Sequence, residues 1–417
     1  MLNVHYIHCK ESIHFINIIL CIIIIILLFT NNHHKEQFIT WFDYKHRAPK
    51  TSPKTYTCRR HVIKQDIVIG SYNYPNKDVA SYKITSKIIN LLLYNSNITN
   101  IKTRKFNTDD IIYSNLLTGN ADIALVSTPI IYNRMRDAKK TKIERHDLNI
   151  KPVNFIASMN TLFLYVIVSQ LGPIRSIHDI KNQKKVGVDV SKHGKTLGWI
   201  CAKHIFDYLE LTEGRDYVFV YDNYKKNTAK VNSGEIDCMI LPDVYPSKII
   251  SRLFTNNLDN TLRILPLDEI SEDKFTSKYP FYKRGYVNLR KIADNYIPAI
   301  IGDFKYTTFK PILTTYIFHN YLLGSHKVDN DIGKSVLKTM FDNIDNINKL
   351  PSMVSTPIDK YNLVHDFLYI PLNKGVREYY YNKGYITYYN NPDCKYLVGH
   401  KKCSKENIDN VTSMSSI

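Results

Sequence analysis

Catalytic signatures are the first thing missing from this chain. It has no Gly-x-Ser-x-Gly nucleophile elbow and no His-Glu-x-x-His zinc helix. A phosphate loop is suggested by the strand Lys184–Val190 running into Ser191-Lys192-His193-Gly194-Lys195-Thr196, but the glycine such a loop needs five residues before Gly194 is Asp189, a carboxylate that repels phosphate. No enzyme is expected on these grounds. Cysteine is sparse, seven in 417 residues with no repeated Cys-x-x-Cys. Cys201 and Cys238 fall in an expected helix and strand, where a buried free thiol is the ordinary outcome. Cys394, His400 and Cys403 supply three zinc-type ligands without a fourth, so no metal is expected, although the two cysteines flank a short loop and can pair in an oxidising compartment. Acids are also short: 38 against 56 lysines and arginines, a formal charge of +18. That balance favours an anionic partner without choosing among a solute, a lipid surface and nucleic acid. The basic stretch Arg134–Asp147 alternates in sign and lacks an aromatic platform, so it reads as a solvated face, and no nucleic-acid partner is expected. Scarce glycine beside abundant Ile, Asn, Lys and Tyr matches the coding bias of an A+T-rich genome, such as a protist or a large DNA virus.

Long apolar runs occur once, at Phe15–Phe29. The run lies near the lower limit for a membrane-spanning helix. It continues into Thr30-Asn31-Asn32-His33-His34-Lys35 without an Ala-x-Ala-like cleavage site, which favours an uncleaved signal anchor over a removed leader. Residues 31–64, polar and carrying Pro49 and Pro53, read as a tether. A single-pass membrane protein with an extracytoplasmic body is expected.

The body is organised around a repeat. Leu116–Ser127 contains Gly119-Asn120-Ala121-Asp122, and Val231–Pro242 contains Gly234-Glu235-Ile236-Asp237. Each copy ends a helical stretch at a glycine, which takes the left-handed conformation without Cβ strain, and then opens a short apolar strand. Two such units predict two α/β lobes with a cleft between them. The first strand is expected at Asp66–Gly70, helices at 78–94 and 108–117, a central strand at Thr161–Ser169, and further strands at Lys184–Val190, Tyr217–Tyr221, Ile236–Leu241 and Thr261–Leu267. Helices are expected at 195–211, 225–233, 244–254, 331–347 and 375–383. His204, on the apolar stripe of one of them, reads as a packed histidine. The resulting domain plan is an anchor (1–30), a tether (31–64), lobe 1 (65–160), lobe 2 (161–268), a return to lobe 1 with C-terminal helices (269–384) and a polar tail (385–417).

Taken in order, several segments resemble the TAXI-type solute-binding proteins of tripartite ATP-independent periplasmic (TRAP) transporters. They are Ile67–Tyr74, Leu117–Asp122, Ile174–Lys181, Ser233–Asp237, Tyr279-Pro280-Phe281-Tyr282 and Ile370-Pro371-Leu372-Asn373-Lys374-Gly375, and the likeness covers Asp66–Gly384. The resemblance implies an α/β, two-lobed type 2 periplasmic-binding-protein fold, no cofactor, a small anionic solute such as a carboxylate or amino acid, and membrane permease subunits as partners. Carried across by position, the pocket would draw on Ser71, Tyr72, Tyr74, Ser127 and Thr128 from one lobe. The other would supply His193, Gly194, Lys195, Thr196, Pro242 and Asp243. The alternative is a surface interaction protein that keeps the fold and has lost the pocket. The glycine-rich cleft loops of the family are here Asn73–Asp78 and Lys192–Thr196, with bulkier side chains that hinder backbone amides from approaching a carboxylate.

Overall fold

A computed structural model describes residues 63–72, 80–140, 153–170, 172–189, 196–255, 262–292, 312–350, 353, 357–358, 360, 370–387 and 397–398. The expected anchor, the tether up to residue 62 and most of the tail, together with Asp78, Tyr74, His193, Gly194, Lys195, Cys394 and Cys403, lie outside the described residues; within the tail, Ile386–Thr387 and Leu397–Val398 pair as two short antiparallel strands. No helix among those described is long and apolar enough to cross a membrane.

The repeat is visible as two copies of one βαβαβ unit. In the first, β1 (Ile63–Tyr72), α1 (Ala80–Asn95), β2 (Ile98–Phe106), α2 (Asp109–Leu117) and β3 (Ile123–Ser127) put parallel strands in the order β2-β1-β3. After β3 come α3 (Thr128–Lys140) and β4 (Asn154–Ser169). The second copy is β5 (Lys184–Val188), α4 (Leu197–Tyr208), β6 (Tyr217–Tyr221), α5 (Tyr224–Asn232) and β7 (Cys238–Asp243), in the order β6-β5-β7. The chain continues through α6 (Lys248–Thr255), β8 (Leu262–Ile264), α7 (Glu272–Lys278), β9 (Lys283–Asn288), β10 (Ile312–Gly324), α8 (Asn330–Asp342), α9 (Ile344–Asn348) and α10 (Lys374–Asn382).

Each Gly-x-x-Asp closes its unit with the same bonds. Gly119 and Gly234 have φ of 69° and 73°, the left-handed conformation anticipated for them. Asp122 N–H donates to Val68 O at 2.7 Å while its carboxylate accepts from Val68 N–H at 2.8 Å. Asp237 N–H donates to Lys185 O at 2.9 Å and its carboxylate accepts from Lys185 N–H at 2.7 Å. The aspartate thus clips the start of the third strand to the first strand, satisfying a main-chain donor there. Removing either carboxylate leaves that donor without its partner. Asp122→Ala is expected to cost roughly 1–3 kcal/mol in urea unfolding and Asp237→Ala less, because Asp122 is buried and water reaches Asp237. Equal losses would remove burial as the distinguishing factor.

Two long strands carry the chain between the copies. The N-terminal half of β4 pairs with the C-terminal half of β10, and its C-terminal half pairs with β7 and β8. Similarly, β10 pairs with β9 through its first half and with β3 through its last. One antiparallel neighbour therefore flanks each parallel trio: β10 beside β3, and β4 beside β7. The single ladder β2-β1-β3-β10-β4-β7-β5-β6 is two sheets sharing their crossing strands. β4 is buried along its whole length apart from its ends, as its apolar run Leu162–Val168 requires of a strand covered on both faces.

Four apolar clusters fill the space above and below the two halves. Tyrosine supplies much of their bulk: Tyr165, Tyr217, Tyr279, Tyr282, Tyr316, Tyr321 and Tyr380 are among the largest fully buried side chains. Their hydroxyls find partners where they end, as buried phenols must. Tyr316 donates to Ile270 O and Tyr380 to Ile156 O, each at 3.0 Å. Sequence reading placed no element at α7, β9 or β10, and β10 is the longest of these. Its Ile-Leu-Thr-Thr-Tyr-Ile-Phe stretch is rich in β-branched and aromatic residues, the local sign of a strand.

Candidate functional site

In open α/β sheets, ligands collect beyond the C-terminal ends of the parallel strands. Here those ends face one another. Ser127, at the end of β3, pairs with Asn320, while Asp243, at the end of β7, pairs with Phe163. Phe163 pairs in turn with Ile317, three residues before Asn320 on β10, or about 10 Å along that strand. Both trios therefore direct their chain ends at the middle of the crossing pair.

Ser71 and Tyr72 close β1, and both are buried. Tyr72 Oη donates to Asp109 Oδ1 in the first turn of α2. Thr108 caps that helix, its side chain accepting from Ile111 N–H at 3.2 Å. Asp110, next to Asp109, is held by Arg134 through two bonds of 2.6 and 2.7 Å. Among the described residues Asp109 has no such cation. Its charged neighbours are the acids Asp110 and Asp189, and burial, aided by both, pushes its carboxyl up to about 7. Ser127 also bonds the Asp109 carboxyl. Asp189 follows β5 in the opposite half, so Asp109 senses the other half across the seam.

On that side, Thr196 caps α4 by accepting from Trp199 N–H at 3.3 Å and donates to Asp189 O at 3.1 Å. Gly198 packs on the end of β7: a Cβ there would lie 3.2 Å from Ile240 O and 3.6 Å from Pro242 Cδ. Asp243 is buried and accepts from Ser247 Oγ. Burial pushes its carboxyl up to about 6, opposed by bonds from Ser247 and the Val244 main chain and by the Lys83 ammonium of α1. Leu197, Trp199 and Ile200 of α4 pack into the cluster that holds Tyr72, Ile112 and Val126. The described candidates therefore gather as Ser71, Tyr72, Ser127 and Thr128 on one side and Thr196, Pro242 and Asp243 on the other.

Asp109, Asp189, Asn160, Asn320 and Lys83 were missed. Asp109 carried one usable signal, its place just after a helix-capping threonine; the others acquire meaning only when distant strands meet. Among the described residues, this seam holds Asp109, Asp189 and Asp243, the Asp110–Arg134 pair and the Lys83 ammonium near Asp243. His204 is fully buried among Tyr132, Tyr279, Phe281 and Tyr282, with Nδ1 3.2 Å from Tyr282 Oη. Burial drives its pKa down to about 3, so it is a neutral packing residue. Among the described residues no group of three or more His, Cys, Asp or Glu is placed to hold a metal ion.

Residues 86–384 match the NMT1-like family. The chain belongs to that family. No curated protein matches it. Among solved structures, this NMT1-like chain is similar to a putative sulfonate ABC transporter's periplasmic sulfonate-binding protein from Methylobacillus flagellatus, at 14% identity over 70% of this chain and 72% of that one, with a TM-score of 0.39. It is similar to the aliphatic sulphonate-binding protein of Escherichia coli at 12% identity, covering 70% and 78%, with a TM-score of 0.37. For the arginine-, lysine-, histidine-binding protein ArtJ of Geobacillus stearothermophilus the values are 10%, 70% and 95%, with a TM-score of 0.36.

Proposed function

We propose that the chain is a non-catalytic, two-lobed solute-binding protein of the TAXI kind. Its body would lie outside the cytoplasm, tethered by the apolar segment 15–29 and serving membrane permease subunits. The observation that carries this reading is the pair of matching Gly-x-x-Asp clips, which sets the ends of β3 and β7 against the middle of β4 and β10. Such an arrangement offers a small organic solute contacts from both halves. The anionic solute implied by the TAXI resemblance would meet Asp109, Asp189 and Asp243 there, with the Lys83 ammonium acting on Asp243.

A second reading has one observation in its favour. Tyr72 is packed and bonded to Asp109 instead of lining open space, as it would be in an interaction protein whose cleft has filled. A thermal-shift screen of the full chain in detergent against amines, amino acids, carboxylates and phosphates separates the two. A binding solute at 100 times its Kd is expected to stabilise the fold by about 2.7 kcal/mol. Silence across the whole panel would favour the filled cleft.

A further inference from the structure

A chain of buried hydrogen bonds runs from Asp109 to the middle of β4. Pairing with β10 passes from Thr161 opposite His319 to Ser158 opposite Tyr321, so Met159 and Asn160 together face the single residue Asn320. That is a β-bulge, a device that re-aims a side chain and recurs beside binding sites. Asn160 is completely buried, and its Oδ1 accepts from Asn320 Nδ2 at 3.0 Å. Asn320 Oδ1 accepts in turn from Ser127 Oγ at 2.6 Å. A serine hydroxyl has a single hydrogen to give. Since Ser127 gives it to Asn320, its bond to the Asp109 carboxyl has to carry the proton of Asp109. Burial pushes that carboxyl up to about 7, so the proton is in place below that pH. Every donor along the chain therefore points away from Asp109, and the last of them, Asn160 Nδ2, has no partner. Thr128, next after Ser127, is buried with its Oγ1 also unmatched. Buried amide and hydroxyl groups are ordinarily paired, and exceptions ask for a ligand or water.

Resting on the solute-binding reading, though not on the solute's net charge, we propose that Asn160 Nδ2 and Thr128 Oγ1 bind an uncharged carbonyl oxygen of the solute, as in an amide, a lactam or a ketone. A neutral oxygen suits them because the described cations of the seam already face acids: Arg134 bonds both oxygens of Asp110, and Lys83 acts on Asp243. An anion buried against two neutral donors costs more than a carbonyl does. The subsite is also coupled to a proton. An ionised Asp109 takes the Ser127 hydrogen, so Asn320 turns its Nδ2 to Ser127 and its Oδ1 to Asn160. Asn160 answers by turning its own Nδ2 inward, and the free end becomes Oδ1, which repels a carbonyl. Asp109 is faced by Tyr72 of β1, by Asp110 of its own helix with Arg134 of α3 upon it, and by Asp189 beyond β5. From α4 it meets the Cys201 thiol, which burial keeps protonated. Asp109 is thus a positioning residue: it sets what Asn160 offers to the solute.

The test is calorimetric titration of the full chain in detergent with N,N-dimethylacetamide, a carbonyl compound without a donor, set against acetate and isopropylammonium. Only the amide is expected to bind at pH 6, with an affinity at least tenfold lower at pH 8.5, where the competent form is scarce. Asp109→Asn, whose amide gives Ser127 a permanent hydrogen, is expected to hold the pH 6 affinity at pH 8.5. Thr128→Val leaves the chain of bonds intact and is expected to weaken amide binding about fivefold, the worth of one hydrogen bond. Amide affinity equal at the two pH values in the wild type, or unchanged in Thr128→Val, overturns the subsite. Binding of acetate or isopropylammonium without the amide overturns it while leaving a solute-binding protein in place. Silence from all three probes overturns it as well, and silence across the thermal-shift panel too overturns the function on which it rests.

Discussion

Asp109→Asn is expected to gain roughly 3 kcal/mol on the wild type as the pH is raised from 5 to 8. An exposed carboxyl in the unfolded chain titrates near 3.9, whereas burial holds Asp109 protonated up to about 7. Between those values the folded state binds a proton that the unfolded state has released, so stability is full at low pH and is lost as the pH climbs through 7. Asparagine keeps the neutral shape and the acceptor for Tyr72 but has no proton to lose. Asp243, raised to about 6, contributes in the same direction, by roughly 1 kcal/mol over this range. His204, depressed to about 3, acts oppositely up to about pH 6.5, where the unfolded histidine ceases to be protonated. Taking the difference between variant and wild type cancels these other groups. Urea midpoints at pH 5, 6, 7 and 8 give the slopes directly. Parallel lines for the two proteins would mean that Asp109 is already ionised in the fold.

Gly375→Ala is expected to destabilise the chain by roughly 3 kcal/mol or more, the upper end of overpacking costs. A Cβ at Gly375 would sit 1.9 Å from Asn330 O and 2.6 Å from Asn330 C, and main chain cannot swing aside as a side chain can. At the same crossing of α8 and α10, a Cβ on Gly333 would meet Asn373 Oδ1 at 2.4 Å. Asn373 is the fastening: its Oδ1 accepts from Gly375 N–H and Val376 N–H at 3.0 and 3.3 Å, and its Nδ2 donates to Val328 O at 3.1 Å. The expected result is a lower urea midpoint with helical circular dichroism retained below it. A variant as stable as the wild type would show that the two helices do not approach so closely.

Much of the fold was legible because its signals are local. A glycine that ends a helix and an aspartate that returns to the first strand sit within four residues of each other, so Gly119–Asp122 and Gly234–Asp237 announced the duplication. The unbroken apolar run in β4 likewise announced a central strand, although its first seven residues were not anticipated. β10 escaped because alternation fails in a strand whose two halves lie in different sheets: His319 and Asn320 break the apolar pattern at the crossing. The seam was half legible. Strand ends such as Ser127 and Asp243 can be marked from the repeat alone. Asp109 facing Asp189, and Asn160 displaced by a bulge, depend on pairings between residues more than 70 and 150 positions apart. No sequence window contains them.

The crossing strands have a mechanical consequence. Since β4 and β10 remain zipped together on both sides of Asn160, rotation of one half against the other must be absorbed between Ser158 and Phe163 on one ribbon and between Ile317 and Tyr321 on its neighbour. The extra residue there loosens the pleat where the torque is concentrated. The fulcrum between the halves therefore lies at the middle of the crossing pair and not at either rim.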